Sequence, residues 1–138
     1  MNCCKNMPSN LTEADLAALK AEQGVYTLLG FAQKAGKLTG GGEAVALALA
    51  KGQVQMVLLA ADLSENSQKR FAKMWQQLPK GVSGKVVIWQ FGSKEKLGQA
   101  AGKPPRGIWA VGDENFARGL QSKLMLLQEQ GRAEQPEL

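Results

Sequence analysis

Three short apolar runs stand out along the chain, and each is bounded by glycine or by polar residues. They cover residues 54–61, 85–91 and 107–112. Continuous apolar runs of this length, rich in β-branched and aromatic side chains, are typical of strands that are buried on both faces of a sheet. A fourth segment, residues 37–39, is long enough for only a brief strand. The pattern predicts a small, mainly four-stranded mixed sheet.

Helical patterns fill the segments before and between these strands. Thr12 and Asp15 have the spacing of a helix N-cap and its reciprocal partner. A short helix is therefore predicted over residues 13–22. Gly24 separates it from a second helix, which ends near Gly36 because glycine readily adopts the left-handed conformation that closes a helix.

Four further helices are predicted downstream, over residues 43–51, 65–77, 94–101 and 114–130. Helices and strands therefore alternate, and their connections are too short to separate domains. This order favours the α/β class and, within it, a three-layer α/β/α sandwich. We expect a flexible leader over residues 1–10, a single domain over residues 11–130 and a frayed tail over residues 131–138.

The composition narrows the chemistry that the chain can perform. Its 138 residues include no histidine and only two cysteines, Cys3 and Cys4, which are adjacent. Histidine is the commonest general base and, with cysteine, the usual zinc ligand. Ser-His-Asp and Cys-His catalysis are therefore excluded, and we expect no metal and no other cofactor. Neighbouring cysteines cannot brace distant segments, which indicates the reducing cytoplasm. No apolar stretch reaches the roughly 18 residues of a membrane helix, so we expect no membrane contact.

Positive charge is concentrated in the middle of the chain, which carries a net charge of +5 overall. Residues 23–127 hold 14 basic and 6 acidic side chains, a net charge of +8, between mildly acidic ends. A basic body of this kind indicates a polyanionic partner such as nucleic acid. A solvated surface without such a partner accounts for the same charge.

Three consecutive glycines, Gly40, Gly41 and Gly42, directly precede a predicted helix. The first N–H groups of a helix have no partner within it, and the positive end of its dipole lies there, so such an end can receive a phosphate or the edge of a base pair. Lys34 and Lys37 are expected beside this helix start. The alternative is that the glycines only form a tight strand-to-helix connection.

A second basic element follows the helix predicted over residues 94–101. It consists of Lys103, Pro104, Pro105 and Arg106, which we call the KPPR loop. Its prolines cannot continue a helix, and they stiffen the loop, which lowers the entropy lost on binding. An ordinary rigid connection between a helix and a strand is the alternative interpretation.

Several segments, in their order along the chain, resemble the kink-turn-binding ribosomal proteins of the L7Ae type. Three of them are AQKAGKLTGGGEAV (residues 32–45), KGQVQMVLLAADLSENSQKRF (residues 51–71) and GSKEKLGQAAGK (residues 92–103). Two more, VYTLLGFAQKAGKL (residues 25–38) and GDENFARGL (residues 112–120), are similar to the bacterial YlxQ-like branch of that family. The resemblance implies the same sandwich and a non-catalytic, cytoplasmic, monomeric protein that binds structured RNA, with ribosomal RNA among the candidates.

The resemblance also implies which residues bind the RNA. In such proteins the start of the helix after the first strand approaches tandem sheared G·A pairs, and the loop before the last strand closes over a flipped-out nucleotide. The first role falls on Gly41, Gly42 and Glu43, with Lys37 close by. The second role falls on the KPPR loop.

The chain departs from the family pattern at the helix start. The family usually has asparagine or a similar polar residue followed by glutamate or glutamine, whereas this chain has Glu43 and Ala44. One turn further along, the family's lysine is replaced by Leu47. The alternative function is therefore a protein-interaction module on the same scaffold, without specific RNA recognition.

Overall fold

A five-stranded mixed sheet lies at the centre of residues 12–136, the part of the chain that the computed structural model describes. Its strands are β1 (Leu38–Gly40), β2 (Met56–Leu59), β3 (Val87–Phe91), β4 (Ile108–Val111) and β5 (Ala133–Glu134). They are arranged in the order β1-β4-β2-β3-β5. Strands β2 and β3 are parallel, and the other three pairs are antiparallel. The predicted leader lies outside the described residues.

The fifth strand corrects the prediction of a mainly four-stranded sheet. Strand β5 lies in the segment that was expected to fray, and it pairs with β3 so that Ala133 is opposite Phe91. Gly131, with φ of +71°, turns the chain towards this position, and the Arg132 N–H donates to the Leu127 carbonyl oxygen at 2.9 Å. A two-residue strand has no apolar periodicity that a sequence could display.

Helices precede and connect these strands. They are α1 (Glu13–Lys34), α2 (Gly42–Ala50), α3 (Glu65–Gln76), α4 (Lys80–Ser83), α5 (Lys94–Ala101) and α6 (Glu114–Glu129). The prediction of two helices before β1 is wrong, because α1 continues through Gly24. A Cβ atom at Gly24 would lie 2.6 Å from Cδ of Lys123, so this glycine permits close packing of α1 against α6. It does not end a helix.

The start of α1 confirms the predicted cap. The Thr12 hydroxyl oxygen accepts a hydrogen bond from the Asp15 N–H, and the Asp15 carboxylate accepts one from the Thr12 N–H, both at 3.1 Å. The Thr12 backbone N–H, and then its hydroxyl, hold the pKa of Asp15 below its usual value. Ser64, Ser93 and Asp113 cap α3, α5 and α6 through one half of this arrangement, in which the side-chain oxygen accepts from the backbone N–H three residues later. The starts of these four helices are therefore stabilised by local side chains.

Both faces of the sheet are covered by helices. Helices α1, α5 and α6 enclose a large cluster that includes Val25, Leu29, Trp89, Trp109, Leu120 and Leu124. Helices α2 and α3 cover the other face, where the cluster includes Val45, Leu49, Val57, Phe71 and Ala110. Burying apolar side chains on both faces of a sheet is what a three-layer α/β/α sandwich requires, so the predicted fold class is confirmed.

Candidate nucleic-acid interface

Strand β1 leads into α2 through the three glycines, and two of them are required by the backbone or by packing. A Cβ atom at Gly40 would lie 2.5 Å from Cζ3 of the buried Trp109. Gly41 has φ of +100°, a conformation that other residues rarely adopt, and its N–H donates to the Ile108 carbonyl oxygen at 2.9 Å. The glycines therefore place the start of α2 directly against the start of β4.

The first turn of α2 has backbone donors available for a ligand. The first hydrogen bond within the helix runs from the Val45 N–H to the Gly41 carbonyl oxygen at 3.0 Å. Among the described residues no side chain caps this helix start, and Gly42, Glu43 and Ala44 are exposed. Their N–H groups, together with the positive end of the helix dipole, can hydrogen-bond an anion.

The KPPR loop is held by its backbone while its side chains are exposed. The Lys103 N–H donates to the Gly98 carbonyl oxygen at 2.8 Å, and the Arg106 carbonyl oxygen accepts from Nε1 of Trp109 at 2.8 Å. A Cβ atom at Gly98 would lie 2.6 Å from the Pro104 carbonyl oxygen, so the loop packs directly on α5. A fixed loop loses little entropy when it binds a partner.

Arg106 joins the KPPR loop to the start of α2. Its Nη1 donates to the Gly40 carbonyl oxygen at 3.1 Å, although the two residues are 66 positions apart in the sequence. The structure therefore brings together Gly40, Gly41, Gly42 and Glu43 with the KPPR loop. We call these elements together the α2–loop surface; in it Gly42, Glu43 and the KPPR loop are exposed, and Gly40 and Gly41 are half-buried.

Lys37 is not part of the α2–loop surface. Lys37 precedes β1 and Gly41 follows it, so the four steps of extended chain between them separate their Cα atoms by about 13 Å. Lys37 lines a groove with Ala48 and Gln53, which lie at the C-terminal end of α2. Lys37 therefore lies near the far end of α2 instead of its start, because α2 runs back along β1. The expected position of Lys34 beside the start of α2 stays a prediction.

A cleft that sequence reasoning missed opens between α2 and α3, with a volume of about 430 Å³. It is lined by Gly42, Glu43, Ala46, Ser67, Arg70, Phe71, Met74 and Ile108. Ser67, Arg70 and Met74 are spaced so that they lie on one face of a helix, and this spacing can be seen in the sequence. The sequence does not show that this face meets the start of α2.

The basic side chains around this surface are not neutralised locally. The ion pairs of the described residues are Lys69–Glu65, Arg118–Glu114 and Arg132–Glu22. None of them includes Arg70, Lys103 or Arg106.

In residues 12–136, no cluster of three or more histidine, cysteine, aspartate or glutamate side chains could hold a metal ion. No helix in the same range is long and apolar enough to cross a membrane.

Two solved structures share this fold. One, a protein of unknown function from Bacillus halodurans C, has a TM-score of 0.61 and 30% sequence identity, over 72% of this chain and 94% of that one. The other, the Giardia lamblia 15.5kD RNA binding protein, has a TM-score of 0.56 and covers 81% of this chain and 89% of that one. At 16% identity this second likeness shows the fold alone.

Sequence comparison identifies the family. The model of the ribosomal protein L7Ae/L30e/S12e/Gadd45 family matches residues 23–120. The chain is also 31% identical over 99 residues to the RNA-binding protein YlxQ of Bacillus subtilis (strain 168), which covers 72% of this chain and 93% of that protein. The predicted resemblance is thereby confirmed, and the chain belongs to the L7Ae/L30e/S12e/Gadd45 family of ribosomal proteins.

Proposed function

We propose that this protein is a non-catalytic RNA-binding protein that docks a structured, kink-turn-like RNA on the α2–loop surface. The observation that carries the proposal is the hydrogen bond from Arg106 to Gly40, which makes the helix start and the basic loop one surface. The similarity to YlxQ, which is named an RNA-binding protein, supports the same class of partner.

The α2–loop surface has the features that RNA recognition by shape requires. Gly41 and Gly42 carry no side chain, so a nucleic-acid backbone can come close to the N–H groups of the first turn. Lys103 and Arg106 are exposed and contact phosphates at the rim. Recognition then depends on the shape of the RNA and on its backbone, as is common for structured RNA.

Lys34 and Lys37 contact a second segment of the same RNA. Both are exposed, and Lys37, three residues after Lys34, lies at the opposite end of β1 from the α2–loop surface. An RNA that contacts both the α2–loop surface and these two lysines must therefore extend along α2 for at least the length of β1. A folded or bent RNA with two backbone segments meets this requirement.

Leu47 favours the second candidate function, a protein-interaction module. Its side chain is 63% exposed on α2, and the neighbouring Ala44 is exposed as well. An apolar residue at this place cannot donate a hydrogen bond to a base edge or a phosphate. Binding to a protein partner would instead cover this side chain.

A gel-shift titration tests the proposed function. It compares a kink-turn RNA with a straight duplex of the same length over a series of salt concentrations. We expect tighter binding to the kink-turn RNA, with an affinity that falls by about 0.7 to 0.9 log units per phosphate contact for each tenfold rise in salt. Absent binding, or binding to both RNAs that is equal and insensitive to salt, would contradict the proposal.

The Leu47→Lys variant separates the two candidate functions. A lysine that reads a guanine edge is worth about 1 to 3 kcal/mol, roughly five- to 150-fold in affinity. If the unmodified protein already discriminates the kink-turn RNA, the RNA-binding function stands and the substitution tightens it further. If only the variant binds, the unmodified protein is better described as a protein-interaction module.

A further inference from the structure

We propose that Arg70 of α3 contacts an RNA phosphate beside the start of α2 and supplies the positive charge that α2 itself lacks. This inference rests on the proposed function and adds a third element, α3, to the RNA-binding surface. Nothing in the sequence pattern of the helix start assigns a role to this residue.

Helix α2 needs positive charge from its neighbours. Its nine residues, GEAVALALA, include one acidic side chain, Glu43, and no basic one. Leu47 stands one turn after the helix start, so no cation of α2 faces an RNA docked there. Arg106 supplies a cation on the side of the KPPR loop. On the other side of the helix, the adjoining element is α3.

Arg70 lies at the place where α3 meets the start of α2. It lines the cleft together with Gly42 and Glu43 of the first turn, and with Ser67 one turn earlier on α3. An RNA strand that docks on the first-turn N–H groups therefore passes over the mouth of this cleft. Arg70 is exposed and so can reach that strand.

The guanidinium group of Arg70 is available for a phosphate. It forms no ion pair within 4.0 Å in residues 12–136, whereas the adjacent Lys69 is paired with Glu65 at 3.4 Å. The planar guanidinium group can donate two parallel hydrogen bonds to one phosphate. Arg70 also offsets the negative charge that Glu43 brings to the same cleft, which would otherwise repel the RNA.

Lys69 provides a matched control. It is next to Arg70 on the same helix, but it lines a different groove, with Gln90 and Pro136, on the other side of α3. The variants Arg70→Gln and Lys69→Gln each remove one positive charge from nearly the same place in the sequence. They therefore change the overall field of the protein almost equally and differ in the local contact.

The test is a salt titration of kink-turn RNA binding with the unmodified full chain and the three variants Arg70→Gln, Lys69→Gln and Arg70→Lys, after thermal melts confirm that each variant is folded. We expect Arg70→Gln to weaken binding roughly tenfold, as loss of a charge-assisted hydrogen bond does. It should also lower the salt slope by about 0.7 to 0.9, the value of one phosphate contact. Lys69→Gln should keep the slope of the unmodified protein, and Arg70→Lys should bind with intermediate affinity because it retains the charge.

The outcomes distinguish this inference from the proposed function. If the unmodified protein binds the RNA and Arg70→Gln behaves like Lys69→Gln, the inference is overturned while the proposed function stands. An equal loss of affinity in Arg70→Gln and Lys69→Gln also overturns the inference, because it shows a general effect of charge instead of a local contact. If the unmodified protein does not bind RNA, the proposed function fails and this inference fails with it.

Discussion

The two faces of the sheet are covered in different ways. On the face that we call the closed face, α1, α5 and α6 bury Leu120, Leu124 and Leu127 completely. On the other, the open face, α2 and α3 leave a cleft of about 430 Å³ between them and expose the first turn of α2. Both faces contain a buried cluster, but only the open face has a cleft and an exposed helix start. We therefore expect substitutions inside the closed face to change stability, and substitutions at the exposed helix start to change RNA binding.

The largest expected effect is on the closed face. Leu124→Ala removes a fully buried side chain from the large cluster, and such substitutions lower the free energy of unfolding by about 2 to 5 kcal/mol. The affinity of the folded variant for RNA should not change. Urea denaturation measures the first quantity and a gel shift the second. A stable Leu124→Ala variant that has lost RNA binding would break the division between the faces.

The next effect is at the junction of β1 and α2. Gly40→Ala places a Cβ atom 2.5 Å from a Trp109 ring that is 1% exposed, so we expect a loss of about 1 to 3 kcal/mol in stability, with weaker RNA binding.

Gly42→Ala is the matched control for Gly40→Ala. Its Cβ atom would lie 3.6 Å from Cδ1 of Ile108, which is ordinary van der Waals contact. The free energy of unfolding should therefore change by less than about 0.5 kcal/mol. Equal destabilisation by both substitutions, measured in urea, would show that the Trp109 ring does not determine the requirement for glycine.

A smaller effect, confined to binding, is expected at the KPPR loop. Arg106→Gln removes the guanidinium hydrogen bond to the Gly40 carbonyl oxygen. It also removes the phosphate contact that we propose for this side chain. We expect RNA binding to weaken by about 1 to 2 kcal/mol, while thermal stability stays nearly constant because the side chain is exposed. Arg118→Gln, which removes an equal charge from the exposed surface of α6, is the control. If Arg106→Gln and Arg118→Gln weakened RNA binding by the same amount, the KPPR loop would contribute no more to binding than any other positive charge on the surface.

The smallest effect is expected at the edge of the closed face. Arg132 pairs with Glu22 at 3.1 Å, and both side chains are partly exposed. Arg132→Gln should lower stability by only about 0.2 to 1 kcal/mol, because water already screens the pair. Both residues lie outside the residues matched by the family model, so RNA binding should not respond. A loss of several kcal/mol in a urea titration would show that β5 depends on this ion pair.

Features determined by local contacts could be predicted from the sequence. The Thr12–Asp15 cap involves groups three residues apart, and the apolar runs of β2, β3 and β4 are continuous in the chain. The family could be recognised for a similar reason, because its motifs are short and contiguous. Predictions of this kind need no knowledge of how distant segments pack.

Features determined by distant contacts could not be predicted in this way. Gly24 has the pattern of a helix end, but its role is to admit Lys123 from a helix about 100 residues away. The position of Lys37 depends on how α2 folds back along β1, and that of Arg70 depends on which face of α3 meets α2. The sequence therefore predicted the candidate residues of the α2–loop surface, but it did not predict the cleft residues that α3 contributes next to them.

Hydrogen exchange of the protein with and without a kink-turn RNA tests the central claim most directly, because it reports on both faces in one experiment. Backbone N–H groups of the first turn of α2 and of the KPPR loop should exchange more slowly in the complex. Those of α6 on the closed face should exchange at the same rate with and without RNA. Slower exchange on the closed face, with no change at the start of α2, would contradict the account.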